Sequence, residues 1–344
     1  MSWLVTGGCG FIGVNLADAL LRDGESVVLF DSLYRAGAEE NLAWVQSRHR
    51  EGVHFVRADI RDAEAVAAIV KQSTPDVIAH LAGQVAMTTS LENPRLDFEV
   101  NAGGTLNILE AVRAFSPGSA VLFSSTNKVY GDLEHLRIEE LATRYALPDY
   151  PSGLDERAPL DGHSPYGCSK LAGDQYVRDY ARVFGLRTVV FRHSSVYGGR
   201  QFATFDQGWI GWFCRMALEA AQAGAKPFSI NGNGKQVRDV LYIDDAVAAY
   251  RAAAARLDAC AGKVYNLGGG MANSLSLLEL FSMLERITGS TLRHYELEGR
   301  KGDQKVFVAD IRRAGQDLGW QPITETEAGV RQMLEWIRSR TKHA

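Results

Sequence analysis

The chain has 344 residues, 46% apolar and 23% charged, which is enough hydrophobic material for one large core or two modest ones, with no bias toward disorder. A net charge of −4 with no Lys/Arg block argues against a nucleic-acid surface, and no apolar run reaches membrane-spanning length, so a cytoplasmic protein without a membrane partner is expected. Cys9, Cys168, Cys214 and Cys260 show no paired spacing, so neither a disulfide framework nor a metal site is expected.

Along the chain, strand-like and helix-like segments alternate. Residues 2–6 and 26–30 are apolar runs of strand length, and Phe11, Val14, Leu16, Leu20 and Leu21 recur between them at helical spacing, which makes a βαβ unit. Strand-like 53–56, a helical stretch from Ala63, strand-like 77–80, a helix over 97–115 and strand-like 120–123 continue the series. This order predicts an α/β fold, a Rossmann-type doubly wound parallel sheet. Residues 131–162, rich in Glu, Arg, Asp and Pro, are too long for a plain connection and read as a surface excursion or lid edge. A long helix over 164–184 and a strand at 187–191 follow. Beyond Tyr197, the Asn231-Gly232-Asn233-Gly234 turn and helices near 244–256, 276–288 and 324–339 predict a smaller mixed α/β lobe. The expected division is 1–196 with 236–262 as a cofactor domain and 197–235 with 263–344 as a substrate lobe.

The first strand runs into Thr6-Gly7-Gly8-Cys9-Gly10-Phe11-Ile12-Gly13. Glycines at 7, 10 and 13 suit a tight strand-to-helix turn, close approach of backbone to a pyrophosphate, and tight packing of helix on sheet. Asp31 ends the second strand, where a carboxylate accepts hydrogen bonds from a ribose 2′-hydroxyl and repels a 2′-phosphate. NAD is therefore expected over NADP. Arg35 is the dissenting residue, a cation that suits such a phosphate if it is not simply a solvated charge.

Tyr166 and Lys170 are four residues apart and share a helix face. Lowering a phenol from a pKa of about 10 to about 7 takes roughly 4 kcal/mol, which a cation about 4 Å away supplies at an effective dielectric near 20. The spacing thus predicts a phenol depressed by Lys170, with an oxidised nicotinamide adding a second positive charge. Ser124-Ser125-Thr126 follows the fifth strand, at the sheet edge where ligands sit, and the Thr126 hydroxyl suits an alcohol becoming a ketone.

The TGxxGxxG turn, the Ser/Thr after the fifth strand and YxxxK together resemble the extended short-chain dehydrogenase/reductase family over essentially the whole chain. The stretches HLAGQVAMTTS, SSTNKVYGD and RHSSVYGGRQFATFDQGWIGWF are similar to its nucleotide-sugar epimerases that act at C2 of CDP-linked hexoses. The resemblance implies catalysis by Thr126, Tyr166 and Lys170. Around a tightly held NAD it implies the glycines with Phe11 and Ile12, then Asp31, Ser32 and Arg35, then Asp59 and Ile60. At the sheet centre it adds Leu81, Ala82 and Gly83, Asn101, Ser124, Ser125 and His193.

Related 4,6-dehydratases carry an Asp-Glu pair after the equivalent threonine; Asn127-Lys128 stands here and cannot do that acid/base work. His193-Ser194-Ser195 likewise departs from the family's usual Tyr-x-Asn. On the substrate side the candidates are Asn127, Lys128 and Ser195, Gln84 with Thr88 and Thr89, and Gln201 with Gln207. Arg238, Arg300 and Asp303 are candidates for the diphosphate and ribose. The implied substrate is a CDP-sugar such as CDP-paratose, and the implied setting is a homodimer or homotetramer in lipopolysaccharide O-antigen biosynthesis. Epimerisation at C4, an NAD-dependent reductase and a non-catalytic NAD-sensing scaffold remain as alternatives.

Overall fold

The computed structural model describes residues 1–49, 51–205, 207–222, 226–299 and 303–341. Seven parallel strands form the main sheet in the order Lys263–Leu267, Arg187–His193, Ala120–Thr126, Val77–His80, Ser2–Thr6, Ser26–Asp31, Val53–Arg57. Helices cover both faces of the sheet, so its strands read as unbroken apolar runs; Leu4, Val5, Ile78 and Val121 are completely buried. The chain steps outward from Ser2–Thr6 to Val53–Arg57, then returns to lay Val77–His80 on the other side, with Trp3 opposite Val77. The carboxyl ends of Ser2–Thr6 and Val77–His80 therefore splay around a crevice at the point where strand order reverses.

The helix Phe11–Arg22 begins at Gly10 with no side-chain cap and no acidic residue in its first turn, so its first N–H groups stay open toward that crevice. The helix expected over 97–115 is Pro94–Phe98 and Gly104–Phe115 joined by a wider π turn, Glu99–Gly103, which sets Asn101 inward.

The smaller lobe holds a sheet of Ser195–Tyr197, Val237–Tyr242, Ser274–Ser276 and Val306–Phe307, a strand pair Phe228–Asn231 with His294–Leu297, and helices Trp209–Ala220, Leu277–Thr288 and Thr326–Thr341. Two expected boundaries move. Lys263–Leu267, assigned to the lobe, pairs along its length with Arg187–His193 in the main sheet. Val237–Tyr242, assigned to the cofactor domain, pairs with Ser195–Tyr197 and Ser274–Ser276 in the lobe. Short apolar strands carry no mark of which sheet they will join. One core runs through both parts, from Trp3, Leu16 and Leu29 to Phe213, Leu284 and Met333.

Residues 131–162 are a strap. Leu154 donates its N–H to Val308 and accepts from Asp310, its carbonyl also takes the Asn266 amide at 2.8 Å, and its side chain is buried with Val129, Phe307 and Ala309. No strap residue lines either cavity described below, so the lid-edge expectation gives way to a brace between the main sheet and the lobe. Leu154→Ala should cost about 2–4 kcal/mol of stability in denaturant unfolding and leave KM unchanged.

Candidate active site

The crevice beyond the glycine turn opens into a cavity of about 330 Å³. Gly7 has φ of +66°, and a Cβ there would lie 2.7 Å from the Ala82 nitrogen; a Cβ on Gly13 would lie 2.3 Å from the Gly7 carbonyl oxygen. The turn is thus close-packed against the neighbouring strand end and leaves its backbone face to a ligand. Asp31 fastens it, accepting from Cys9 N–H at 2.9 Å and Leu33 N–H at 2.7 Å. Burial raises the Asp31 pKa and these backbone donors oppose the rise.

Gly10, Phe11, Ile12, Ser32, Leu81, Ala82 and Gly83 stand on this wall with Asp31. Ile60 is there too, and so is Asp59, which is paired to Arg61 at 2.8 Å. Arg35 sits at the exposed mouth. Asn101 lies behind the wall: its amide donates to Gln84, Asp97 and Ser169 and accepts from Gln84 N–H, so its polar atoms are engaged within the protein. A turn that fits a pyrophosphate, a carboxylate at the second strand end and an uncapped helix N-terminus suit a dinucleotide.

A second cavity of about 430 Å³ adjoins the first. Both are bounded by Phe11, Ile12, Val85, Ser124, Gln201 and Gln207, which marks their junction. Thr126, Tyr166 and His193 stand on the second wall with Ser125. Tyr166 and Lys170 come from the helix Ser164–Phe184, which starts with Pro165 in its first turn and ends at Gly185 in the left-handed conformation.

Two strands receive that helix through Asp174. Its carboxylate takes a two-point bond from Arg192, 2.9 Å at each nitrogen, and a third bond at 2.9 Å from the Ser125 hydroxyl. Arg192 and Asp174 are essentially fully buried. Nothing in the linear pattern links Asp174 to Arg192; only the packing of helix on strand reveals the pair.

Lys170 lies behind the wall. Its ammonium donates to the Ser124 carbonyl and stands 4.5 Å from the centre of the Phe123 ring. Burial lowers its pKa to about 8 against the opposing charges of Asp97 and Asp174. Tyr166 differs from expectation. Burial pushes the phenol up to about 12, a hydrogen bond with Thr126 opposes this, and the Asp97 charge adds to it. Desolvation is the leading cause. Burial, followed by the Lys170 charge, holds His193 down at about 3 and so neutral.

On the far wall Lys128 and Arg238 converge on Asp303, at 2.9 and 2.8 Å. Asn127 donates to the Gln304 side chain at 3.0 Å, a buried partner that sequence reasoning missed although it adjoins Asp303. Ser195 lines the cavity and accepts from the Trp209 indole at 3.1 Å, and Phe205, Trp212 and Phe213 stand on the same wall, so the aromatic residues after Arg200 help shape the site. Gln201 donates to the Val196 carbonyl, and its buried amide oxygen meets no protein donor among the described residues.

Gln84 does not reach the sugar side. Its amide closes onto Ala86 and Asp97, bracing its own loop. Thr88 reaches neither wall, since the short helix Met87–Glu92 turns Met87 to the second cavity and Thr89 to the first. Arg300 lies outside the described residues.

A dinucleotide-shaped crevice meeting a Thr-Tyr-Lys cluster defines a Rossmann-fold enzyme of short-chain dehydrogenase/reductase type. The chain belongs to the family described as GDP-mannose 4,6 dehydratase, whose model matches residues 4–333. It is 52% identical to the CDP-paratose 2-epimerase of Salmonella typhi, over 98% of this chain and all of that protein. Among solved structures, the UDP-glucose 4-epimerase of Thermotoga maritima with UDP-glucose superimposes with a TM-score of 0.83 at 29% identity, covering 99% of this chain and 100% of that one. The Thermus thermophilus UDP-glucose 4-epimerase in complex with NAD gives 0.81 at 29% identity, covering 98% and 99%.

Two outcomes check this geometry. Tyr166→Phe should lower kcat by about 10²–10⁴-fold with little change in KM. Lys170 has a folded pKa below its unfolded one, so between pH 8 and 10.5 the unfolded chain binds more protons at this site and stability rises with pH. Measured without ligand, the wild type should gain on Lys170→Met across that window, by at most about 1.4 kcal/mol per pH unit.

Proposed function

We propose that this chain inverts C2 of a CDP-linked hexose, interconverting CDP-paratose and CDP-tyvelose or a related pair, with NAD as a resident cofactor. What carries this is the 52% identity to a CDP-paratose 2-epimerase along both full lengths, in a chain whose Thr126 and Tyr166 stand together on the wall of the second cavity. NAD, when bound, supplies a reversible hydride acceptor for an alcohol-to-ketone-to-alcohol cycle on one carbon. The glycine turn, Asp31 and the open N-terminus of Phe11–Arg22 would hold it, leaving Tyr166 beside the reacting carbon.

Tyr166 Oη takes the C2 hydroxyl proton and later returns it. The Thr126 hydroxyl, on the same cavity wall as that phenol, orients the substrate oxygen and stabilises charge on it. Lys170, held on the Ser124 carbonyl, keeps a positive charge behind the site. The phenol holds its proton in the ligand-free protein; an oxidised pyridine ring, when bound, would add the positive charge that favours release of this proton to solvent before Tyr166 acts as a base. Elimination of water is not supported: Asn127 and Lys128 occupy the acid/base positions of a dehydratase and are bonded to Gln304 and Asp303.

The wider setting we propose is a cytoplasmic homodimer or homotetramer serving lipopolysaccharide O-antigen synthesis. Among the described residues no helix is long and apolar enough to cross a membrane.

Purified protein incubated with CDP- and UDP-linked sugars should invert C2 of a CDP-sugar, read by NMR of the product. Substrate deuterated at C2 should keep its label through inversion. Inversion at C4, net consumption of NADH, or wash-out of the label into solvent would each reject this function.

A further inference from the structure

Tyr250 lines neither cavity, yet it contacts an imidazole that does. It comes from the helix Ile243–Ala255, is completely buried, and places its hydroxyl 2.9 Å from His193 Nε2, the two rings stacked with centroids 5.7 Å apart at 12°. Phe191 packs edge-on against Tyr250 at 4.8 Å, fixing the pair from the side. The Ser124 hydroxyl is the phenol's other polar neighbour, opposing the rise that burial causes in its pKa.

A phenol has one proton and here two neighbours. An imidazole nitrogen is a much better acceptor than a hydroxyl oxygen, and a phenol is a better donor than serine. The Tyr250 proton therefore goes to Nε2 rather than to Ser124. With Nε2 accepting, the single proton of a neutral imidazole must sit on Nδ1. Burial and the Lys170 charge keep the ring from taking a second proton. His193 Nδ1 is itself buried and meets no protein partner among the described residues, and His193 stands on the reaction cavity directly across the strand ladder from Thr126. A buried N–H without an acceptor is rare in a finished protein.

We infer that Tyr250 is a positioning residue which fixes His193 as the Nδ1–H tautomer, so that a neutral imidazole presents a hydrogen-bond donor to a carbonyl oxygen bound in the reaction cavity. The inference rests on the epimerase function above, which brings two such oxygens to the site, the carboxamide of the cofactor and the transient sugar ketone. A neutral imidazole N–H is too weak an acid to protonate either. It polarises the carbonyl without competing with Tyr166 for the proton.

The test uses holoenzyme labelled with ¹⁵N-histidine and long-range ¹H–¹⁵N correlation at neutral pH, the His193 signals being those lost in His193→Gln. Wild type should show a protonated Nδ1 and an unprotonated Nε2, and Tyr250→Phe should move the proton to Nε2 or give a mixture. The same substitution should lower kcat about tenfold. If the acceptor is the cofactor, the amount retained per chain after gel filtration falls as well; if it is the ketone, retention holds and only kcat falls.

An Nε2–H tautomer in wild type, an unchanged tautomer in Tyr250→Phe, or unchanged kcat and retention despite a switch would each overturn the inference. Should Tyr250→Phe not fold, the wild-type spectrum decides. That spectrum does not depend on which sugar is turned over, so a wrong substrate assignment and a wrong tautomer are separately visible.

Discussion

The buried bond between Arg192 and Asp174 holds the reacting end of the molecule together. Arg192 belongs to a central strand, Asp174 to the long helix beside it, and Ser125 of the next strand closes on the same carboxylate. Two opposite charges with almost no access to water are expensive to create and more expensive to separate, since breaking either leaves an uncompensated ion inside. The pair therefore contributes registry: it sets how far along the sheet the helix sits, and so where Tyr166 meets Thr126. Arg192 also reaches the Tyr130 hydroxyl at 3.0 Å, tying the start of the strap to the same point.

Desolvation governs the electrostatics of the site more than pairwise attraction does. Tyr166, Lys170 and His193 are each pushed toward their neutral forms, with burial as the leading cause every time. Such a site resists charging until a ligand brings charge of its own, which suits a cycle in which the cofactor must stay and the ketone must not leak. Placing charge here is also unusually effective, because little water remains to screen it.

Much of this was legible from residue order. The alternation of apolar runs gave the parallel sheet, the helix over 164–184 appears with those same limits, and the glycine turn with Asp31 lines one cavity while Thr126 and Tyr166 line the one adjoining it. What could not be read depended on contacts distant in sequence. Asn101 and Gln84 look like ligand-binding amides, but satisfying the buried Asp97 carboxylate consumes them. Without ligand, burial raises the pKa of the phenol expected to be acidic, because spacing along a helix reveals a neighbouring cation and says nothing about the loss of solvent. Lys263–Leu267 and Val237–Tyr242 exchanged domains because strands of five or six residues with only three or four apolar ones suit either sheet equally well.

The core shared between sheet and lobe has a bearing on how inversion is achieved. Leu16 and Leu29 belong to the same packed body as Phe213 and Met333, so swinging one part away from the other would open a dry interior. On the proposed function, the ketone would then have to turn to offer its second face while the walls hold still, by rotation about the bonds joining sugar to diphosphate, with the free space around the hexose as the limit on what can be inverted.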